Sequence, residues 1–129
     1  MALLKASRTA QTVLEAEFSW AIGDTMVNTA GASDAFASAA AHAFDIINLP
    51  PGAVVLAGEL SVTTAFDGTT YALIVGDSAS TNRYLSTADR KAAGRTALVP
   101  TGYVSLGEPI RLTVTPTGTT TAGAGTIRM

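Results

Sequence analysis

The sequence predicts an all-β protein, a jelly-roll-like antiparallel β-sandwich with one or two short helical turns. Three observations predict it. Apolar and polar residues alternate with a period of two in several short windows, which puts alternate side chains on opposite faces of a strand. Those windows are separated by Gly, Pro and Asp-Gly turn signals, with no long helical pattern between them. The 129 residues include 24 Ala, 19 Thr and 12 Gly, a mixture suited to half-buried pleated surface and close backbone approach. Eight or so such strands in one chain make a jelly roll the natural architecture.

The elements follow in chain order. In Thr12–Trp20, Leu14, Ala16, Phe18 and Trp20 share one face and Glu15, Glu17 and Ser19 the other, so a half-buried strand is expected. The stretch after it, around Gly31, reads as loop. From Ala35 to Phe44 a short helix is an option, with Ser33 or Asp34 as N-cap and Phe36, Ala40 and Phe44 on one side; a strand beginning near Ala41 competes. Phe44–Leu49 reads as a strand, and Pro50-Pro51-Gly52 then sets a type II turn.

A long strand is expected next. Val54, Leu56, Leu60, Val62 and Phe66 fall on one face, with Gly58 marking a bulge or bend. Asp67-Gly68 signals a hairpin into the strand Thr69–Val75. Ser86, Asp89 and Gly94 have the spacing of an N-cap, a capping partner and a C-terminal cap, which predicts one or two helical turns there. Arg95–Pro100 reads as a short strand. Ile110, Leu112 and Val114 alternate with Arg111, Thr113 and Thr115, and Ala124–Met129 closes the sheet. The whole, residues 1–129, is expected to be one domain with 1–11 as an N-terminal arm.

Composition narrows the function. Only 14% of residues are charged, against about 25–35% on a typical soluble surface, so much of the surface is neutral or covered by a partner. The net charge of −2 offers no field for direct nucleic-acid binding. No cysteine is present, which removes thiol chemistry and Cys-based zinc sites. The apolar start is short for a signal peptide, and no window approaches the length of a membrane span. A soluble product without a targeting leader is the expectation.

Candidate chemistry is thin. Leu73–Leu85, LIVGDSASTNRYL, has Ser78 after an apolar run, as hydrolases present a nucleophile. The nucleophile elbow needs Gly where Ser80 stands, and the lone histidine, His42, is far away in sequence. Ser78 therefore reads as a loop serine, with Asp77 capping backbone amides. The aspartates Asp24, Asp34, Asp45, Asp67 and Asp77 have no calcium-loop spacing, and Glu15 and Glu17 share the outer face of one strand. No catalytic residue, metal or cofactor is expected. Four of the eight basic residues, Arg83, Arg90, Lys91 and Arg95, lie close in sequence and are candidates for contact with an acidic protein surface.

The segments FDIINLPPGAVVLAGELSVTTAF, VGDSASTNRYL, GRTALVPTGY and IRLTVTPTGTTTAGAGTIRM resemble small virion proteins of tailed phages. In particular the chain from Phe44 onward resembles the capsid cement, or decoration, proteins of short-tailed phages. The resemblance implies a jelly-roll-like homo-oligomer, a dimer first and a trimer next, on the outer capsid surface of the virion. It would clamp neighbouring major capsid proteins of the HK97-type fold, with no membrane involved. The contacts expected are Leu3, Leu4, Lys5 and Arg8 in the arm, with Arg83, Arg90, Lys91 and Arg95. The rival reading is a tail, fibre or carbohydrate-binding β-sandwich for host recognition, disfavoured by an aromatic content of only 6%. A serine hydrolase ranks last.

Overall fold

In a computed structural model, which describes residues 13–129, the alternating windows become ten strands. They are β1 (Glu17–Ala21), β2 (Thr25–Val27), β3 (Ser33–Ala35), β4 (His42–Ile47), β5 (Glu59–Thr64), β6 (Thr70–Gly76), β7 (Leu85–Asp89), β8 (Gly94–Ala97), β9 (Ile110–Thr117) and β10 (Ala124–Arg128). Every ladder is antiparallel. One sheet runs β1-β10-β5-β8, the second runs β4-β9-β6-β7, and β2 and β3 form a separate hairpin. Apart from that hairpin, the chain changes sheet at every connection except β6 to β7. Two four-stranded sheets wound in this order are a jelly roll.

The core is where the inner faces meet. Trp20, Leu60, Val62 and Ile127 come from the first sheet, and Phe44, Tyr71, Leu73, Val75, Ile110, Leu112 and Val114 from the second. Burying each such side chain contributes about 1.5–3 kcal/mol. Phe36, just after β3, turns into the core and stacks on Phe44 at a centroid distance of 4.4 Å and on Trp20 at 6.0 Å. Phe66 stacks on Tyr71 at 3.7 Å, and the Tyr71 hydroxyl donates to the Phe36 carbonyl at 3.1 Å. One aromatic chain thus ties the hairpin to both sheets.

The expected helical turns are absent among the described residues. Ser33 and Asp34 do not cap a helix; they lie in β3, where Asp34 pairs with Met26 across the hairpin. The run after Phe36 turns and bends instead, with Ala40 at φ 122°, and leads directly into β4. Ser86 and Asp89 lie in β7, whose ladder to β6 pairs Ala72 with Asp89 and Leu73 with Ala88. Asp89 Oδ1 accepts from the Tyr71 amide at 2.9 Å, so the carboxylate expected to cap a helix binds the neighbouring strand. Gly94 opens β8 opposite Val62.

The long strand is also shorter than expected. Regular pairing begins only at Glu59, and the inward parity flips before it: Val55 is buried, whereas Val54 and Leu56 are exposed. The flip falls next to Gly58. A Cβ there would sit 2.6 Å from the Arg128 carbonyl oxygen and 2.8 Å from Leu98 Cδ1, so only glycine lets the strands approach. The turn before it forms as expected, with Gly52 at φ 87° and the Ala53 amide donating to the Pro50 carbonyl at 3.1 Å. At the start of the chain, Phe18 and Trp20 face inward, but Leu14 is exposed and regular pairing starts at Glu17.

Antiparallel pairing sorts the connections to two ends. The loops 48–58, 77–84 and 98–109 lie at one end, called the upper end, with the start of β1 and the close of β10. The β2–β3 hairpin and the loops 65–69, 90–93 and 118–123 lie at the lower end. Substituting Gly58→Ala should destabilise the protein by about 1–3 kcal/mol through overpacking. Urea denaturation measures this directly, and an unchanged midpoint would show that the strands can part there freely.

Candidate functional site

Large apolar side chains left in water mark interaction surfaces where they cluster. Among the described residues they are Val13, Leu14, Val27, Val54, Leu56, Val99, Val104 and Leu106. All except Val27 belong to the upper end. Five come from two loops, 48–58 and 98–109, and these loops are bonded together. The Gly52 amide donates to the Ser105 carbonyl at 2.7 Å, the Ser105 amide to the Ala53 carbonyl at 2.8 Å, and the Leu98 amide to the Gly58 carbonyl at 2.9 Å. Val54 and Val104 form an isolated antiparallel bridge. The pairing holds Leu106 79% exposed on a fixed backbone.

The third upper loop, 77–84, braces the second. The Val99 amide donates to the Tyr84 carbonyl at 2.9 Å. Asp77, only 2% exposed, accepts from the amides of Ala79 and Ser80 at 2.9 and 2.8 Å and pairs with Arg83 Nε at 2.5 Å. The Arg83 guanidinium lies 3.5 Å over the Tyr103 ring, a cation–π contact. Tyr103 Oη donates to Glu108 at 2.7 Å, and Glu108 also accepts from the Leu106 amide at 2.8 Å. The series Asp77–Arg83–Tyr103–Glu108 therefore ends on the backbone of the most exposed leucine.

Ionisation follows from these contacts. Burial raises the Asp77 carboxyl, but its bonds to Arg83 and to the Ser80 and Ala79 amides outweigh burial and hold it below the usual range. The Tyr103 hydroxyl bond and backbone amides hold Glu108 down to about 2. At the lower end, the Thr121 hydroxyl and the Ala122 and Thr121 amides hold Asp67 down to about 2. These carboxylates are fixed acceptors for loops, not proton-transfer groups near neutral pH.

The basic residues singled out in the sequence do not form one patch. Arg83 is at the upper end, turned inward onto Asp77 and Tyr103. Arg90 and Lys91 are at the lower end, where Arg90 Nη2 donates to the Ser86 carbonyl at 3.1 Å and Lys91 Nζ to the Thr69 carbonyl at 3.0 Å. Arg95 lies on the outer face of the first sheet, 72% exposed and paired with Glu59 at 2.5 Å. Leu3, Leu4, Lys5 and Arg8 lie outside the described residues. Ser78 sits in an upper loop and His42 at the lower start of β4, so they cannot form a catalytic dyad. His42 is engaged locally, with Nδ1 on Asp34 and Nε2 3.1 Å from the Ser38 carbonyl oxygen.

The exposed residues of the upper loops were not anticipated as a site. Their sequence signal was present in large apolar residues set inside Pro/Gly-dense stretches, LPPGAVVLAG and LVPTGYVSLGEP. Chain breakers stop such residues from alternating into a core.

The fold defines the class, a jelly-roll β-sandwich with a braced apolar end. No known family model matches the chain, and no curated protein sequence matches it. Among solved structures the chain is similar to a chain of the cyanophage Pam1 capsid asymmetric unit. The TM-score is 0.55 and the sequence identity 22%, over 97% of this chain and 94% of that one.

Two outcomes follow from these contacts. Arg83→Gln leaves Asp77 buried without its cation and should cost about 3 kcal/mol, the low end for breaking a buried pair; thermal or urea unfolding reads it. Glu108 and Asp67 are held below their unfolded values, so their contribution is present above about pH 4.5 and lost as the pH falls towards about 2. An unfolding series from pH 6 to pH 2 should show that loss, and Glu108→Gln with Asp67→Asn should flatten it.

Proposed function

We propose that the protein is a structural virion component that binds the outer surface of an assembled phage capsid. It stabilises the shell by bridging neighbouring major capsid protein subunits, and it acts as a homo-oligomer, a dimer in the first instance. The observation that carries this reading is the likeness to a capsid chain over nearly the full length of both molecules. Two physical features support it. Apart from the cross-strand Asp45–Arg111 pair and Asp89 at one edge, the outer face of the second sheet is neutral, with Ala43, Ala72, Ile74, Thr113 and Thr115 on it, a surface that can lie against a neighbour at small desolvation cost. The upper end displays apolar side chains on loops that are already ordered, so little entropy is lost on contact.

Cementing is then mass action. A protein that binds the assembled lattice but not its separated subunits shifts the equilibrium toward the lattice. Repetition over symmetric sites turns modest contacts into a large total. The contacts assigned are Leu3, Leu4, Lys5 and Arg8 from the arm, with Arg95 exposed on its sheet and Arg90 and Lys91 toward neighbouring subunits. Arg83 acts through Tyr103, holding the loop.

Purified virions should carry on the order of hundreds of copies, as repeated symmetric sites require. Shells lacking the protein should disassemble at lower temperature or in lower salt than complete shells, and added protein should restore them. A few copies per particle would point to a tail component. An unchanged disassembly profile would sink the cementing role.

A further inference from the structure

We propose that the upper end is the face that docks on the shell. Val54, Leu56, Val99, Val104 and Leu106 supply the contact, and its occupant is an uncharged, apolar protein surface of the assembled lattice. The inference rests on the function just proposed and adds which surface performs it.

The exposed apolar side chains are segregated. Among the described residues, seven of the eight large exposed apolar side chains lie at the upper end. The lower end carries Asp24, Asp34, Asp67, Arg90 and Lys91 with Val27 alone. A free monomer gains nothing from such asymmetry, whereas a molecule whose apolar end rests on a protein surface does.

Charge selects the occupant. Most ionic groups toward the upper end are paired within the chain: Asp77 with Arg83, Glu59 with Arg95, Glu17 with Arg128 and Asp45 with Arg111, the last two at 2.8 Å, while the exposed Glu15 has no such partner among the described residues. Glu108 is taken up by Tyr103, Ser105 and the Leu106 amide. A face compensated in this way offers no attraction to phosphate backbones or anionic headgroups. It complements a surface that is itself apolar and uncharged.

The patch is also held in place before contact. The patch residues sit on loops joined by the Val54–Val104 bridge and braced by Arg83 on Tyr103. Anchors held in place before contact are the kind that dominate binding energy.

The test uses the full chain and shells assembled without it. Leu106→Glu and Leu56→Glu, on different loops, are compared with wild type and with Val27→Glu at the lower end. Cosedimentation gives shell affinity, light scattering the oligomeric state, and thermal unfolding the integrity of each variant. The expected result is an affinity loss of about tenfold or more for each upper variant, with Val27→Glu within about twofold of wild type and all oligomeric states unchanged. If one upper variant unfolds, the other decides. Upper variants that bind like wild type would overturn the docking face while leaving the cementing role intact. Upper variants that lose self-association would assign the patch to a second copy and overturn it too. Wild-type protein that fails to bind shells would remove the proposed function itself.

Discussion

The packing of one inner sheet face on the other fixes everything else in this molecule. Strand β9 shows why. It lies between β4 and β6, with Leu112 opposite both Phe44 and Val75 and Val114 opposite Leu73. Side chains on a strand alternate, so a slip of one residue would drive Ile110, Leu112 and Val114 into water and bring Arg111, Thr113 and Thr115 into the core. The register therefore has one low-energy solution, and the positions of six loops follow from it. Phe36 completes the arrangement from outside the two sheets. By stacking on Phe44 and Trp20 it seals the side where β1 and β4 lie at the sheet edges.

Strands buried on one face were legible in the sequence because their periodicity records that burial directly. Phe18 and Trp20, Leu60 and Val62, and Ile110, Leu112 and Val114 all face inward as alternation requires. The errors came where local chemistry has two uses. Ser86 and Asp89 have the spacing of a helix cap, yet the same carboxylate binds the Tyr71 amide across a ladder. A short polar stretch can satisfy its backbone either way, and the open edge of β6 decided the matter. The parity change at Gly58 is a different case. Its cause is the approach of Arg128 and Leu98, residues distant in sequence, which no local pattern contains.

The braced end was the least legible feature, because it depends on contacts between three loops. Burying Asp77 with Arg83 is not an economical way to gain stability, since desolvation consumes much of the attraction. What the pair supplies is position. Arg83 is held where its guanidinium covers Tyr103, Tyr103 holds Glu108, and Glu108 holds the Leu106 amide. A hydrophobic replacement could fill the same volume, but it would not direct a hydrogen bond to that amide. The basic residues that looked like a cluster in sequence separate for a related reason. Arg83 precedes β7 and Arg90 follows it, and a strand places its two flanks at opposite ends of a sandwich.

An apolar end on a free protein invites self-association, and the polarity of the molecule limits what form that can take. Head-to-tail stacking would set Leu56 and Leu106 against the charged lower end, leaving Asp67, Arg90 or Lys91 desolvated without designed partners. Such stacking is what would propagate into filaments. Upper end against upper end closes at two copies because the face is used up, whereas side-to-side contact through the outer face of the second sheet leaves the upper end open. An end that is apolar and braced, opposed by an end that is charged, therefore limits end-to-end self-association to a closed pair and does not commit the protein to open-ended aggregation.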